Sequence, residues 1–169
     1  MFLRQRIPRR ACSSWTPLCG RILRYEVTYE APQGWERTVA NVRESSFPRH
    51  FVEGFRRRGA TNYLIRALDG RTPVGYVVVF HLSGEAVTCN LDEVAVAEAQ
   101  RRNGIGSHLV SMAAKLMLSH GFQEMDAVAL TGEDRALREQ WLARLGFNPY
   151  EGLPGHFLHA NLELLASGH

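Results

Sequence analysis

Between residues 60 and 120 the hydrophobic pattern changes period once, and that change constrains the fold more than any other feature. Residues 62–68, 73–82 and 86–96 are strand-like runs, and Val74, Tyr76 to Phe80 and Leu82 form a set rich in the β-branched and aromatic types that suit a pleated, half-buried surface. Asp69-Gly70-Arg71-Thr72 and Ser83-Gly84-Glu85 separate these runs as tight turns, so three consecutive strands run antiparallel. From 104 to 120 the spacing becomes helical. Ile105, Leu109, Met112, Ala113, Leu116 and Met117 form one apolar stripe, and Gly121 suits the position just past the helix.

The flanking segments complete the pattern. Ile22, Leu23, Tyr25, Val27 and Tyr29 predict a first strand over 21–30. Phe47, Phe51 and Phe55 predict a helix over 46–58, with Ser45 or Ser46 as its cap and Arg56 to Arg58 at its cation-favouring end. A strand over 125–130 follows the long helix. Thr131 with Asp134 resembles a capping box, and the next helix puts Leu137, Trp141 and Leu145 on one face and stops at Gly146. Residues 147–150 and 156–164 read as closing strands. The order β-α-β-β-β-α-β-α-β-β is an α/β (α+β) domain with a mixed central sheet of about six to seven strands flanked by helices.

At 169 residues the chain has room for one domain, and 45% apolar with 22% charged residues is an ordinary globular balance. The net charge of +3 is unevenly placed. Residues 1–25 hold six Arg and no acid, which leaves 14 bases against 17 acids, a net of −3. The basic pI therefore belongs to a leader, and no nucleic-acid partner is expected from it. The leader (1–20) admits three readings: an extension, a flexible arm for an anionic partner, or a targeting peptide. Residues 21–169 form the folded body. No apolar run reaches the roughly eighteen residues of a membrane span. Cys12, Cys19 and Cys89 are odd in number and lack CxxC spacing, and the seven His form no HxxxH or HExxH pair. A metal site is not expected, and the thiols suit a reducing, cytoplasmic setting.

The chemistry concentrates in 91–107, Leu-Asp-Glu-Val-Ala-Val-Ala-Glu-Ala-Gln-Arg-Arg-Asn-Gly-Ile-Gly-Ser. It runs from a strand through a loop into a helix start. Gly104 and Gly106 carry no Cβ, so a ligand can approach the backbone. The first helical N–H groups lack intrahelical partners, and the dipole is positive there. With Arg101 and Arg102 beside it, this is a site for phosphate or pyrophosphate. A Walker loop is excluded because no Lys follows the glycines. A dinucleotide fingerprint is excluded because Ser107 and His108 follow Gly106 where a third Gly would be needed, and the preceding strands are antiparallel.

Arg101-x-x-Gly104-x-Gly106, directly after Val94-Ala95-Val96, resembles the [QR]xxGx[GA] motif of the Gcn5-related N-acetyltransferase (GNAT) superfamily. Trp141-Leu142-Ala143-Arg144-Leu145-Gly146-Phe147 resembles that family's LYxKxGF ending, and the elements between follow in family order. The resemblance implies acetyl-CoA as cosubstrate. Arg101, Arg102, Asn103, Gly104, Ile105, Gly106 and Ser107 would hold the pyrophosphate. Val94, Ala95 and Val96 would offer backbone groups to the pantetheine arm, which lies where two strands splay. Arg135 stands where the family often has a cofactor-contacting Asn.

An alkyl amine is mostly protonated at neutral pH, so amine acetylation needs a base, and Asp92 and Glu93 end the strand where the family often carries a carboxylate. Regular alternation puts Asp92 with Asn90, Val94 and Val96, and Glu93 with Leu91 and Ala95, on opposite faces. Which face is the site stays open. The family's acid, the Tyr of LYxKxGF, corresponds to Leu142, which cannot donate a proton, and Tyr150 is the nearest substitute. The expected activity is transfer of an acetyl group to a primary amine of a small molecule or peptide, with homodimers common in the family. The rival is an acyl-CoA-binding sensor or structural module with no turnover.

Overall fold

The computed structural model describes residues 12–15, 22–28, 60–84, 87–129, 135–155 and 157–168. The helix expected over 46–58, the turn over 31–34 and the Thr131–Asp134 box lie outside them. Eight strands form one sheet in the order β1-β2-β3-β4-β5-β6-β8-β7. They are β1 (Cys12–Trp15), β2 (Leu23–Thr28), β3 (Ala60–Asp69), β4 (Thr72–Leu82), β5 (Thr88–Val96), β6 (Glu124–Val128), β7 (Asn148–Pro149) and β8 (Phe157–Asn161). Among the described strands only β5 and β6 pair in parallel, so the sheet is mixed as expected. One strand comes from the leader: Cys12 to Trp15 pair antiparallel with Glu26 to Leu23.

Three helices are described: α1 (Ile105–Ser119), α2 (Arg135–Leu145) and α3 (Leu162–Ser167). The run over 156–164 is not one strand. It turns helical at Leu162 because the Asn161 carboxamide oxygen accepts from the N–H groups of Glu163 (2.9 Å) and Leu164 (3.3 Å), an N-cap that stops the strand. The burial stripe of α2 also differs from expectation. Leu137 is 67% exposed, while Leu142 is 6% exposed and Trp141 and Leu145 pack against the core. The last turns of this short helix join the core. There Leu142 O accepts from Phe147 N–H, and both side chains are buried around Gly146.

The helix α1 covers the first face of the sheet. Ile105, Leu109, Val110, Ala113, Ala114 and Met117 are buried against Tyr25, Ile65, Val77, Val79, Cys89 and Leu91. Each large aliphatic group removed from water there contributes about 1.5–3 kcal/mol. The near end of α1 is set by Gly75. A Cβ on Gly75 would stand 3.2 Å from Ala95 O, Ile105 Cγ2 and Leu109 Cδ1, so the glycine lets the helix start settle on β4. Gly75→Ala is expected to destabilise the fold by about 1–3 kcal/mol through overpacking, read as a lower denaturant midpoint with an unchanged slope. A midpoint equal to the parent's would show that α1 is not seated by that contact.

Candidate active site

The strand β5 carries a β-bulge at Asp92. Its ladder to β4 runs Val77↔Val94 and Val78↔Glu93, then Val79↔Leu91, so Asp92 is the extra residue. This corrects the alternation expected from sequence. Val94 and Val96 do not share a face with Asp92. They pack on the α1 side with Cys89 and Leu91. Glu93 lies opposite Val78 on the second face, half-buried with its Oε1 atom fully enclosed, and Asp92 is exposed.

Beside the bulge the two parallel strands part. The β5–β6 ladder ends at Leu91↔Ala127, whereas β5 continues to Val96 along β4. Residues 93–96 therefore have a ladder on the β4 side only among the described residues. An extended chain could lie along the other side as an added strand does.

The loop after β5 leads into α1. Ala97 N–H donates to Val74 O (2.9 Å), and a 3₁₀ turn, Glu98–Gln100, redirects the chain. Asn103 Nδ2 donates to Gln100 O (3.3 Å) and Arg101 Nε to Val96 O (3.1 Å), so both side chains brace the loop. Arg102 has φ +63°, the only non-glycine residue with positive φ among those described, a strain of order 1 kcal/mol of the kind that gathers at ligand sites. Gly104 precedes the helix at φ +80° and no side chain caps it. The first intrahelical bond runs from His108 N–H to Gly104 O (3.0 Å). The N–H groups of Ile105, Gly106 and Ser107 therefore precede any possible i−4 acceptor in the helix. Ile105 is itself buried and anchors the turn, while Gly106 is half-buried and Arg101 and Arg102 are exposed.

A cleft of about 630 Å³ adjoins this loop between α1, α2 and α3. Asn103, Gly104 and Ser107 line one end, and Lys115, Trp141 and Arg144 line its walls. None of Val94, Ala95 and Val96 reaches it, so the cleft extends the loop away from the β5 edge. His108 also lines it, tilted against Tyr25 at 4.8 Å, and burial followed by the Lys115 charge lowers its pKa. Sequence reasoning passed over Lys115 and Arg144, which only the packing of three helices brings together.

On the second face, Tyr150 Oη donates to Asp126 Oδ1 at 2.6 Å, and its ring stacks on His159 at 4.5 Å. The hydrogen bond to Asp126, then burial and the carboxylates of Asp126 and Glu124, push the phenol up to about 12. The hydroxyl thus stays protonated through the neutral range with its hydrogen committed to Asp126. Leu142, in place of the family tyrosine, belongs to the core. Arg135 is paired with Glu139 at 2.6 Å. Cys89 is buried, and its thiol donates to Glu124 O at 3.4 Å. Among the described residues no three His, Cys, Asp or Glu side chains gather to hold a metal, and no helix is long and apolar enough to cross a membrane.

Known proteins share this architecture. A GNAT-family protein from Desulfovibrio desulfuricans superposes with a TM-score of 0.68 at 16% identity, over 82% of this chain and 99% of its own. An aminoglycoside 6'-N-acetyltransferase solved with coenzyme A gives 0.62 at 14% identity, over 80% and 96%. The PaiA N-acetyltransferase from Thermoplasma acidophilum, also solved with coenzyme A, gives 0.58 at 13%, over 81% and 98%. At such identities the likeness is one of fold. No curated protein matches the sequence at a significant level. The profile of the acetyltransferase (GNAT) family matches residues 25–147, which include β5, its bulge, the glycine loop and α1. The chain belongs to the acetyltransferase (GNAT) family.

Proposed function

We propose that the protein moves an acetyl group from acetyl-CoA to a primary amine within a ternary complex, with Glu93 as the base. The observation that carries this reading is the uncapped start of α1 beside the β6-side edge of 92–96. A diphosphate fits the N–H groups of Ile105, Gly106 and Ser107, where the helix dipole favours negative charge. Lys115 and Arg144 supply further positive charge along the cleft. The pantetheine arm would follow the backbone of Val94, Ala95 and Val96 and bring the thioester to the bulge. Fold-sharing N-acetyltransferases solved with coenzyme A support the cosubstrate.

Glu93 is favoured over Asp92 because the bulge turns Glu93 onto the sheet and leaves Asp92 exposed. Its carboxylate would take a proton from the acceptor ammonium, directly or through water. The neutral nitrogen then attacks the acetyl carbonyl carbon. A C–N bond forms, the C–S bond breaks, and a backbone N–H near Val94 steadies the negative oxygen in between. The nitrogen gives up its second proton to water as the amide forms, and the sulfur leaves as thiolate and takes a proton from water, since Leu142 offers no proton and the Tyr150 hydrogen is held by Asp126.

That missing acid is the specific observation behind the second reading, an acyl-CoA-binding module without turnover. Thiol release measured across a panel of primary amines separates the two. The transferase reading expects thiol release that depends on amine, with matching acetylamine by mass spectrometry. Tight CoA binding with only amine-independent release would establish the module instead.

A further inference from the structure

The cleft between α1, α2 and α3 has a floor of small residues and two cations on its walls. Its volume of about 630 Å³ is that of a small-molecule site. Gly104 at the helix start, Ser107, Ser111 and Lys115 follow one another along a single face of α1, and the first three leave room for a ligand to lie flat. Ser111 Oγ donates to Ala166 O (3.1 Å), which fixes α3 beside that face. Lys115 is the only lysine in the chain, and it shares the cleft with Arg144 of α2. Among the described residues the lining holds no Asp or Glu, and neither cation is paired with a carboxylate.

We infer that Lys115 and Arg144 read the 3'-phosphate of the cosubstrate, so that the protein selects CoA over 3'-dephospho-CoA. The inference rests on the acetyl-CoA reading and adds a specificity that the glycine loop cannot supply, because both molecules carry the same diphosphate. A diphosphate at Ile105, Gly106 and Ser107 stands at the middle of the cosubstrate. The pantetheine half leaves it toward Val94, Ala95 and Val96, none of which touches the cleft. The adenosine half leaves on the other side, where the cleft opens.

The spacing along α1 suits that half. Ser107 and Lys115 are eight residues apart, about 12 Å at 1.5 Å per residue. A long side chain on a helix leans toward the N-terminus, which returns the ammonium by about half of that distance. The remainder is what one ribose bridges between its 5'-diphosphate and its 3'-phosphate. Trp141 Cζ2 would stand 3.4 Å from a Cβ on Gly106, so the indole lies over the helix start, and Arg144 follows it one turn later on the same wall. The indole offers a π face to an adenine ring. A phosphate monoester carries close to two negative charges at neutral pH, and it gains charge-assisted hydrogen bonds from a guanidinium fork and an ammonium.

The test compares CoA with 3'-dephospho-CoA by calorimetry on the parent protein. CoA should bind at least tenfold more tightly, and added salt should narrow that gap. The pair 3'-phosphoadenosine 5'-diphosphate and ADP, which lack pantetheine, should show the same preference. Lys115 and Arg144 are both exposed, so Lys115→Gln and Arg144→Gln should leave the melting temperature level. Each should narrow the CoA preference several-fold, and the double variant should bring the two affinities within about twofold. Equal, measurable affinities in the parent would overturn the inference and leave the cosubstrate reading standing. A double variant that keeps the tenfold preference would overturn it as well. Binding of neither molecule would remove the inference and the cosubstrate together. A CoA preference that the variants erase, with no amine-dependent thiol release, would uphold the inference and sink the transferase reading.

Discussion

Gly106→Asp is expected to abolish CoA binding while the protein stays folded. A Cβ at this position would stand 3.4 Å from Trp141 Cζ2 and 3.6 Å from Val96 Cγ2, which are ordinary contacts. The first turn of a helix also welcomes a carboxylate, because the dipole is positive and the leading N–H groups lack partners. The substitution should therefore leave the melting temperature level or slightly raised. The same carboxylate would occupy the N–H groups assigned to the pyrophosphate and repel its charge. A rise in the CoA Kd of at least a hundredfold, about 2.7 kcal/mol, is the expected calorimetric result. Gly106→Ala serves as the size control and should cost far less affinity. Unchanged binding by Gly106→Asp, with an intact melt, would mean that the phosphates lie elsewhere.

The second large effect concerns the carboxylates at the bulge. Glu93→Gln should lower kcat/KM by about a hundredfold or more, the usual contribution of a positioned general base. Its pH profile should change in a definite direction. A base must be deprotonated to work, so the parent enzyme loses activity toward acid both as its base takes up a proton and as the amine does. In the Gln variant the first of these losses disappears, and the residual rate falls toward acid only as the amine is protonated. Asp92→Asn, on the exposed bulge residue, should cost less than tenfold and keep the parent profile. The reverse ranking would move the base to Asp92.

These predictions also mark where sequence was sufficient and where it was not. The glycine loop was legible because its chemistry is local. Gly104 and Gly106 stand out at the change of period, and an uncapped helix start follows from the absence of any Ser, Thr, Asp or Asn at 104. The bulge was not legible. Leu91-Asp92-Glu93-Val94 reads as an ordinary strand, and only the ladder to Val78 and Val79 reveals the extra residue. Because strand side chains alternate with a period of two, that single residue exchanged the faces of everything after it. The assignment of Val94 and Val96 changed with it.

Leu137 and Leu142 illustrate a related ambiguity. Both fit a helical stripe, and the docking of the last turns of α2 chose the second. The α3 cap, by contrast, was written plainly as Asn161 before Leu-Glu-Leu-Leu, with Glu163 in the first turn, and could have been read. Asp126 and His159 carried no sequence signal, since β6 and β8 become neighbours only in the sheet. Tyr150 was visible as an aromatic near Gly146, but its commitment to Asp126 required the fold.

The strand contributed by residues 12–15 has a consequence for how molecules of this protein meet one another. Among the described residues the two rims of the sheet are β1, four residues long, and β7, two residues long and containing Pro149, which has no N–H to donate. A long bare rim recruits a strand from a neighbour, whereas rims this short offer it little purchase. Loss of the leader would uncover the six residues of β2, Leu23–Thr28, and create such a rim. Residues 12–15 thus cover four positions of a rim that would otherwise lie bare over six.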